Sequence, residues 1–542
     1  MKGVYTLLST LYLIVLIQSA KSQTIKSNLP LLLINTNGQQ IVDEPKITAQ
    51  LSVFDKGKGA SNSLSDVPAL TCKIGIEVRG STSQVFPKKS YGFETITETG
   101  DNLNVSLLGL PAENDWILYA PYNDKTFMRD ILAYQLFRNM GHYAPRSVLC
   151  ELYLNSEYYG VYVLVEKIKQ DKNRVNITKL TPTDITGVPV SGGYIFKIDK
   201  PTGSENEGWT SSILSGIETG KKISFLFHDP SAGKLDHEQK EYIQNFIFNF
   251  EKVLASENYT NEETGYRNLI DVNSFVDFFI LNEVSKNIDS YRTSTFFHKD
   301  RDDKNKKLVA GPPWDYNLGF GNANYYNGEV VSNWVYQGIP ATDARQIPFW
   351  WQRFLNDPVF YNTMKERYTT FRSSVLKTEN IHRYIDSLAL VLKEPQARNY
   401  SVWKIMGKYV WPNPYYGATY QQDVDYMKQW IGDRLNWIDG NLLIMNNPEL
   451  NQVGNGIAVV YPNPFQELFS VEFLPDAEVS SAAVEIYDLT GKKLFQDFVP
   501  LNSSGTVYSA DNNGVSSLSG GVYILKIKLS TGKEFSAKIV KK

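Results

Sequence analysis

The chain predicts an α+β fold of two lobes, β-rich first and helical second, followed by a small all-β sandwich. Three observations carry this. Short runs of residues 23–230 alternate apolar and polar, the period of a half-buried strand. Residues 231–445 change to apolar positions three, four and seven apart, the period of a helix with one buried face. From Val459 short alternating runs return, with turns between them. At 542 residues the chain is too long for one ordinary core, which agrees with several units.

The elements follow in order. Strands are predicted at Leu31–Asn35 and Ile47–Phe54, with a Gly/Ser/Asn-rich loop at Gly57–Ser65. Cys72–Arg79 alternates, setting Ile74, Ile76 and Val78 on one face before Gly80. Ser90–Thr95 and Trp116–Ala120 are further strands, and Met128–Met140 has helical spacing. Leu149–Leu154 and Tyr159–Glu166 read as a hairpin across Asn155-Ser156-Glu157. Gly193–Asp199 and Ile223–His228 complete the first lobe. Glu238–Ser256 is amphipathic, and Ser274–Lys286 is a second helix capped by Asn273 or Ser274. Ile347–Leu355, Pro358–Ser374, Thr378–Val391 and Gln421–Leu443 are also helical. Residues 446–458 form a polar linker. The sandwich then has strands at Leu468–Phe473, Ala483–Leu489, Lys492–Phe498, Val507–Ala510, Gly521–Leu529 and Glu534–Val540.

Residues 1–22 stand apart. Lys2 gives a basic start, Val4–Ile17 is apolar, and small residues precede a cut before Gln23. This is the pattern of a secretory signal peptide. The apolar run is shorter than the ~20 residues that span a bilayer, and no later segment reaches that length, so the mature chain is expected to carry no transmembrane segment. A formal charge of -3 is no strongly basic balance, so nucleic acid is not implied. The only cysteines are Cys72 and Cys150; two buried thiols or one disulfide both fit an exported chain.

The central chemistry is a pair of acidic loops. Asn287-Ile288-Asp289-Ser290 is followed by the strand-like segments Thr295–His298 and Lys307–Ala310, then by Gly311-Pro312-Pro313-Trp314-Asp315. That is the order of parts in a kinase site: an Asp that receives the acceptor hydroxyl, a hairpin, and an Asp that holds the metal. A loop-capping Asp289 and a turn-bonding Asp315 are the structural alternatives. Other chemistry lacks its motif: there is no HExxH, CxxC, GxSxG, GxGxxG or GxxxxGK[ST].

Five ordered motifs resemble the spore-coat-protein-H (CotH) kinase-like family. They are Gly75–Tyr91 with Arg79-Gly80-Ser81 and Lys88-Lys89, Asp124–Arg129, Tyr153–Glu166, Asn287–Asp289 and Pro313–Asp315. The tail, with Tyr461-Pro462-Asn463-Pro464, Asp488-Leu489-Thr490-Gly491 and Gly520-Gly521-Val522-Tyr523, resembles the C-terminal sorting domain of type IX secretion substrates in Bacteroidetes-type bacteria.

The resemblance implies an atypical protein-kinase-like fold and transfer of phosphate from ATP, with Mg²⁺ or Mn²⁺, to Ser/Thr of a surface or secreted protein. It implies Asp289 as catalytic residue and Asp315 as metal ligand. One of Lys88 and Lys89 reaches the phosphates, since strand alternation turns them to opposite faces. Glu166 pairs with that lysine or joins the metal, or is a strand-end residue. Gly80 and Ser81 cover the nucleotide, and Arg79 and Arg129 contact phosphate or brace the site. Ser294 stands where kinases place a metal-binding Asn, five residues after the catalytic Asp, and Asn317 is a further candidate ligand. That departure keeps a second reading open, a pseudokinase scaffold. A third, allowed by the 33 Tyr and 10 Trp, is a carbohydrate-associated surface protein. The tail implies the type IX secretion machinery as partner.

Overall fold

The computed structural model describes residues 25–201, 207–214, 221–442, 458–461, 463–473, 479–501, 506–510 and 513–541. The predicted signal peptide, and all of the predicted linker but its last residue, lie outside the described residues.

The first unit is a closed barrel, not an open sheet. Its strands are β1 (Leu31–Asn35), β2 (Ile47–Phe54), β3 (Leu70–Arg79), β4 (Ser90–Ile96), β5 (Asp115–Tyr119), β6 (Ser147–Leu154) and β7 (Glu157–Glu166), in the order β1-β2-β3-β4-β5-β7-β6. Every ladder is antiparallel except the closing one, where β1 runs parallel to β6 with Leu31 opposite Glu151. Closure leaves the barrel no free edge. Leu51, Ile74, Ile76, Phe93, Leu118, Leu152 and Leu164 fill its interior, as their alternation requires. The β6–β7 hairpin turns through Asn155 and Ser156, both at positive φ, as a two-residue type I′ loop needs. Cys72 on β3 and Cys150 on β6 are free thiols.

A second sheet joins strands from the end of the β-rich half to two strands from the half that reads as helical. β8 (Tyr194–Ile198), β9 (Gly208–Leu214), β10 (Lys222–Asp229), β11 (Thr295–Lys299) and β12 (Leu308–Ala310) pair in the order β12-β11-β8-β10-β9. One large core joins it to the helices α1 (Arg129–Asn139), α3 (His237–Ala255), α4 (Val272–Ser285), α6 (Trp350–Leu355), α7 (Pro358–Arg372), α8 (Thr378–Leu392), α9 (Pro395–Val402) and α10 (Tyr420–Asn441), while the single turns α2 (Gly187–Val190) and α5 (Asp302–Asn305) add nothing to it. Buried α4 is its axis: every residue from Ser274 to Ser285 is covered. Its cap is Asp271, whose carboxylate accepts from the Ser274 amide at 2.9 Å, rather than the predicted Asn273 or Ser274. The helix stops because Lys286 turns left-handed at φ 44°, and this sends the chain into the first acidic loop.

The tail folds over its own core, which includes Phe469, Val484, Ile486, Leu525 and Ile539. Its strands β13 (Ala458–Tyr461), β14 (Phe469–Phe473), β15 (Ser481–Tyr487), β16 (Lys493–Pro500), β17 (Thr506–Ala510), β18 (Gly521–Leu529) and β19 (Glu534–Lys541) form one sheet ordered β13-β14-β17 and one ordered β16-β15-β18-β19. Among the described residues no helix is long and apolar enough to cross a membrane.

Candidate active site

Asp289 and Asp315 line one cavity of about 800 Å³, together with Arg79, Gly80, Ser81, Ser294 and Asn317. That size suits a small-molecule ligand. Asp289 lies in the turn after α4, where its carbonyl receives the Thr293 amide at 3.1 Å. The buried Arg292 guanidinium holds its Oδ1 at 3.0 Å. Asp315 follows β12 and adopts φ 66°, a backbone that short polar side chains tolerate. The loops are joined directly: Asn287 Nδ2 donates to the Asp315 carbonyl at 3.0 Å, and the Phe320 amide donates to the Ser285 carbonyl at 2.6 Å.

Helix α1 grips the second loop from behind. Asp130 Oδ1 accepts the Tyr316 amide at 2.6 Å, and Tyr134 OH accepts the Asp315 amide at 3.2 Å. The Tyr134 and Trp314 rings stack, with centroids 6.0 Å apart. Burial, then the Asp315 charge, raises the Asp130 carboxyl to about 8. Asp315 itself faces the cavity and is exposed to it, but protein encloses its other sides. That poor solvation, with the charges of Asp289 and Asp199, raises its carboxyl to about 6 against the pull of Arg79 and Lys200.

Arg79 ends β3 with its guanidinium 5.6 Å from the Trp314 ring centre. Gly80 then turns at φ 106°, a backbone that strains any residue with a Cβ and favours glycine. Lys200 Nζ reaches Thr82 Oγ1 at 2.8 Å, tying this turn to the segment after β8. Asn317 Nδ2 donates to Asn123 Oδ1 at 3.2 Å, and among the described residues no donor reaches its own Oδ1.

Four predicted residues are elsewhere. Lys88 is 2 % exposed, and its Nζ donates to the Val161 carbonyl and, at 2.9 Å, to Asn399 Oδ1 on α9. Lys89 closes its own turn on the carbonyls of Gln84 and Phe86 at 2.5 and 2.7 Å. Both lie in the turn before β4, so strand alternation does not govern them, and neither lines the cavity. Glu166 is fully buried; Arg146 Nε reaches both its oxygens at 3.0 Å, and the Arg146 amide and Tyr143 OH add bonds at 2.9 and 3.2 Å. Its acceptors are taken, so it is a structural ion pair. Arg129 pairs with Asp124 at 2.6 Å and donates to the Gly319 carbonyl at 3.1 Å, which braces the Asp315 loop from below.

The cavity takes its lysines from other places: Lys46 and Lys167, at the ends of β2 and β7, and a group at the end of β8 in the second sheet. Lys197 on β8, with Asp199 and Lys200 just beyond it, lines the wall, and Lys197 Nζ lies 3.3 Å from Asp199 Oδ2. Their sequence signal is a strand ending in Lys-Ile-Asp-Lys, which sets residues 197 and 199 on one face. Asp130, in the first turn of α1, gives no such signal.

Among the described residues no group of three or more His, Cys, Asp or Glu side chains is arranged to hold a metal. The donors beside Asp315 amount to one or two carboxylates and the Asn317 amide oxygen. This fits Mg²⁺, which is commonly held by one or two carboxylates while phosphates and water supply the rest.

A ligand-sized cavity floored by two linked acidic loops, with a glycine turn and basic side chains on its walls, defines a candidate site for a phosphorylated ligand. The family model described as CotH kinase protein matches residues 76–438, and the chain belongs to this family. A second model, the secretion system C-terminal sorting domain, matches residues 459–542 and assigns the chain to type IX secretion, hence to the cell surface or the secreted fraction. No curated protein matches the chain. Among solved structures, the alkylpurine DNA glycosylase AlkC of Pseudomonas fluorescens, bound to DNA containing an abasic site analogue, aligns at 12% identity and TM-score 0.11. The alignment covers 35% of this chain and 53% of that one, so the match spans about half the glycosylase, and it carries no argument.

Proposed function

We propose that this protein is an exported atypical kinase that moves the terminal phosphoryl group of ATP, with Mg²⁺ or Mn²⁺, to Ser or Thr of a surface or secreted protein. The carrying observation is that Asp289 and Asp315 line one cavity and are tied through Asn287. In this reading the barrel is the N-terminal lobe, the helices and second sheet form the C-terminal lobe, and residues 1–22 are the export signal.

Asp315 and Asn317 would hold the cation, with Asp199 adding charge. The cation supplies neutralisation of the phosphate oxygens. Arg79, Lys197 and Lys200 bind and orient the phosphates, and the Gly80–Ser83 turn lies over them. Asp289 offers Oδ2 to the acceptor hydroxyl while Arg292 keeps Oδ1, so the carboxylate is aimed before the acceptor arrives. A nucleotide-binding scaffold without turnover is the second reading. It draws support from Ser294 at the second-ligand position and from the structural roles of Lys88 and Glu166.

The test is an Mg²⁺–ATP and Mn²⁺–ATP titration followed by a labelled-phosphate assay on the chain itself and on casein. Cation-dependent binding with transfer that Asp289→Asn abolishes supports the kinase. Binding without transfer selects the scaffold, and no binding sinks both.

A further inference from the structure

The acceptor side of the cavity has an aromatic wall. Tyr325 and Tyr326 follow the Asp315 loop, and Trp411 comes from the segment between α9 and α10. The Tyr325 and Trp411 rings stack at 5.9 Å and 14°, and Tyr326 meets Tyr325 edge-on at 5.1 Å. Trp411 is 44% exposed. The same segment continues outward in Tyr409 and Tyr416, 51% and 45% exposed, with their rings 6.1 Å apart. Hydrogen bonds hold this shelf in place. The Asn324 amide donates to the Pro412 carbonyl at 2.9 Å, Asn324 Nδ2 to Tyr409 OH at 3.2 Å, and Asn413 Nδ2 to Asn322 Oδ1 at 2.9 Å. Exposed rings that cost little entropy to hold are binding surfaces.

Its place names the occupant. Tyr326 OH and the Arg292 guanidinium meet on one Asp343 oxygen, and Arg292 also holds Asp289 Oδ1 at 3.0 Å, so the shelf begins beside Asp289 on the wall of the same cavity. The carboxylate beside it is already engaged: Asp343 accepts from Arg292 at 3.2 Å, from Tyr326 OH at 2.6 Å and from the Arg345 amide at 2.7 Å. A sugar needs convergent free donors and acceptors, whereas a ring side chain needs only an aromatic face.

We propose that Tyr325 and Trp411, extended by Tyr409 and Tyr416, are the acceptor shelf, and that they take an extended polypeptide carrying Pro or an aromatic residue beside the Ser or Thr presented to Asp289. The word acceptor rests on the kinase reading; the shelf's preference for ring-bearing peptide does not. The probe is the labelled peptide Ala-Pro-Tyr-Ser-Tyr-Pro-Ala against a control with every Pro and Tyr replaced by Ala. Anisotropy is read with the full chain, with and without Mg²⁺ and a non-hydrolysable ATP analogue. Wild type is expected to bind the ring-flanked peptide about tenfold tighter. Trp411→Ala and Tyr325→Leu should each erase most of that difference while the nucleotide thermal shift and circular dichroism stay unchanged. Equal binding of the two peptides by wild type overturns the proposal, as does a preference that survives both substitutions. Binding of cello- or xylo-oligosaccharide that Trp411→Ala abolishes assigns the shelf to glycans and overturns it too. Absence of a nucleotide shift in wild type defeats the kinase reading, and the peptide comparison without nucleotide then decides the shelf alone.

Discussion

The side-chain amide of Asn287 donates to the main-chain carbonyl of Asp315 at 3.0 Å, so the two acidic loops move as one unit. The same side chain accepts the Asp289 amide at 3.3 Å and is 3% exposed. Asn287→Ala deletes both bonds and leaves a carbonyl unpaired, at a cost of about 1–3 kcal/mol. The variant should fold with a lowered thermal midpoint and bind Mg²⁺–ATP about tenfold more weakly, read by thermal shift against ligand concentration. Unchanged affinity would show that the loop link does not shape the site.

Asp315→Asn separates charge from shape. Asn tolerates φ 66° as Asp does, so the fold should survive, while the neutral amide loses cation-dependent nucleotide binding. The wild-type carboxyl titrates at about 6, above its ordinary ~3.9, so the folded state holds the proton more tightly. This group therefore favours the folded state most below pH ~4, and that contribution is lost as pH rises to 6. The variant should lack this part of the pH–stability curve. In wild type, cation affinity should fall as pH drops through 6, because proton and metal compete. Cation-dependent binding that persists in Asp315→Asn would remove Asp315 from the metal site.

Ser294→Asn tests the second-ligand position. Ser294 sits at φ 48°, a region where Asn is several-fold enriched, so the substitution should not strain the backbone. An amide oxygen in place of the hydroxyl should tighten Mn²⁺ or Mg²⁺ by several-fold, about 1 kcal/mol. Calorimetry with the nucleotide analogue reads this. Transfer that appears only in Ser294→Asn makes the natural chain a scaffold, and unchanged cation affinity removes position 294 from the metal shell.

Lys88→Met probes the bolt between the barrel and α9. Burial lowers the Lys88 amine to about 7, while in the unfolded chain it titrates near ~10.4. Between these values the unfolded state binds the extra proton, so this group makes stability rise with pH by up to about 1.4 kcal/mol per unit. Below pH 7 both states are protonated and the penalty is full. Denaturant midpoints from pH 7 to 9 should rise in wild type relative to Lys88→Met, and parallel curves would show that the amine is charged in the fold. Affinity for Mg²⁺–ATP should be unchanged, since Lys88 does not line the cavity.

Removal of residues 459–542 should leave the rest folded and nucleotide-responsive, because the tail has its own core. In the native host the truncated chain should accumulate in the periplasm. Fractionation that finds it at the cell surface would refute the sorting role.

What the sequence by itself determined was local. Period-two alternation located β2 and β3, the turn at Asn155-Ser156 between two aromatic and β-branched runs made the β6–β7 hairpin legible, and amphipathic spacing located α3. Asp289 and Asp315 stood out because each is an acid in a short turn between apolar elements, and Gly80 because it follows a strand. Tertiary structure decided what depends on distant partners. Barrel closure pairs β1 with β6, more than a hundred residues on, and no periodicity encodes that choice. Lys88 meets Asn399 across 311 positions, on a helix that the sequence reading did not find, and Glu166 is claimed by Arg146. Asp130, Asp199 and Lys200 join the site because α1 and the second sheet pack behind and beside Asp315. A side chain's direction is set by which neighbour satisfies its charge at least desolvation cost, and in a fold of this size that neighbour comes from another element.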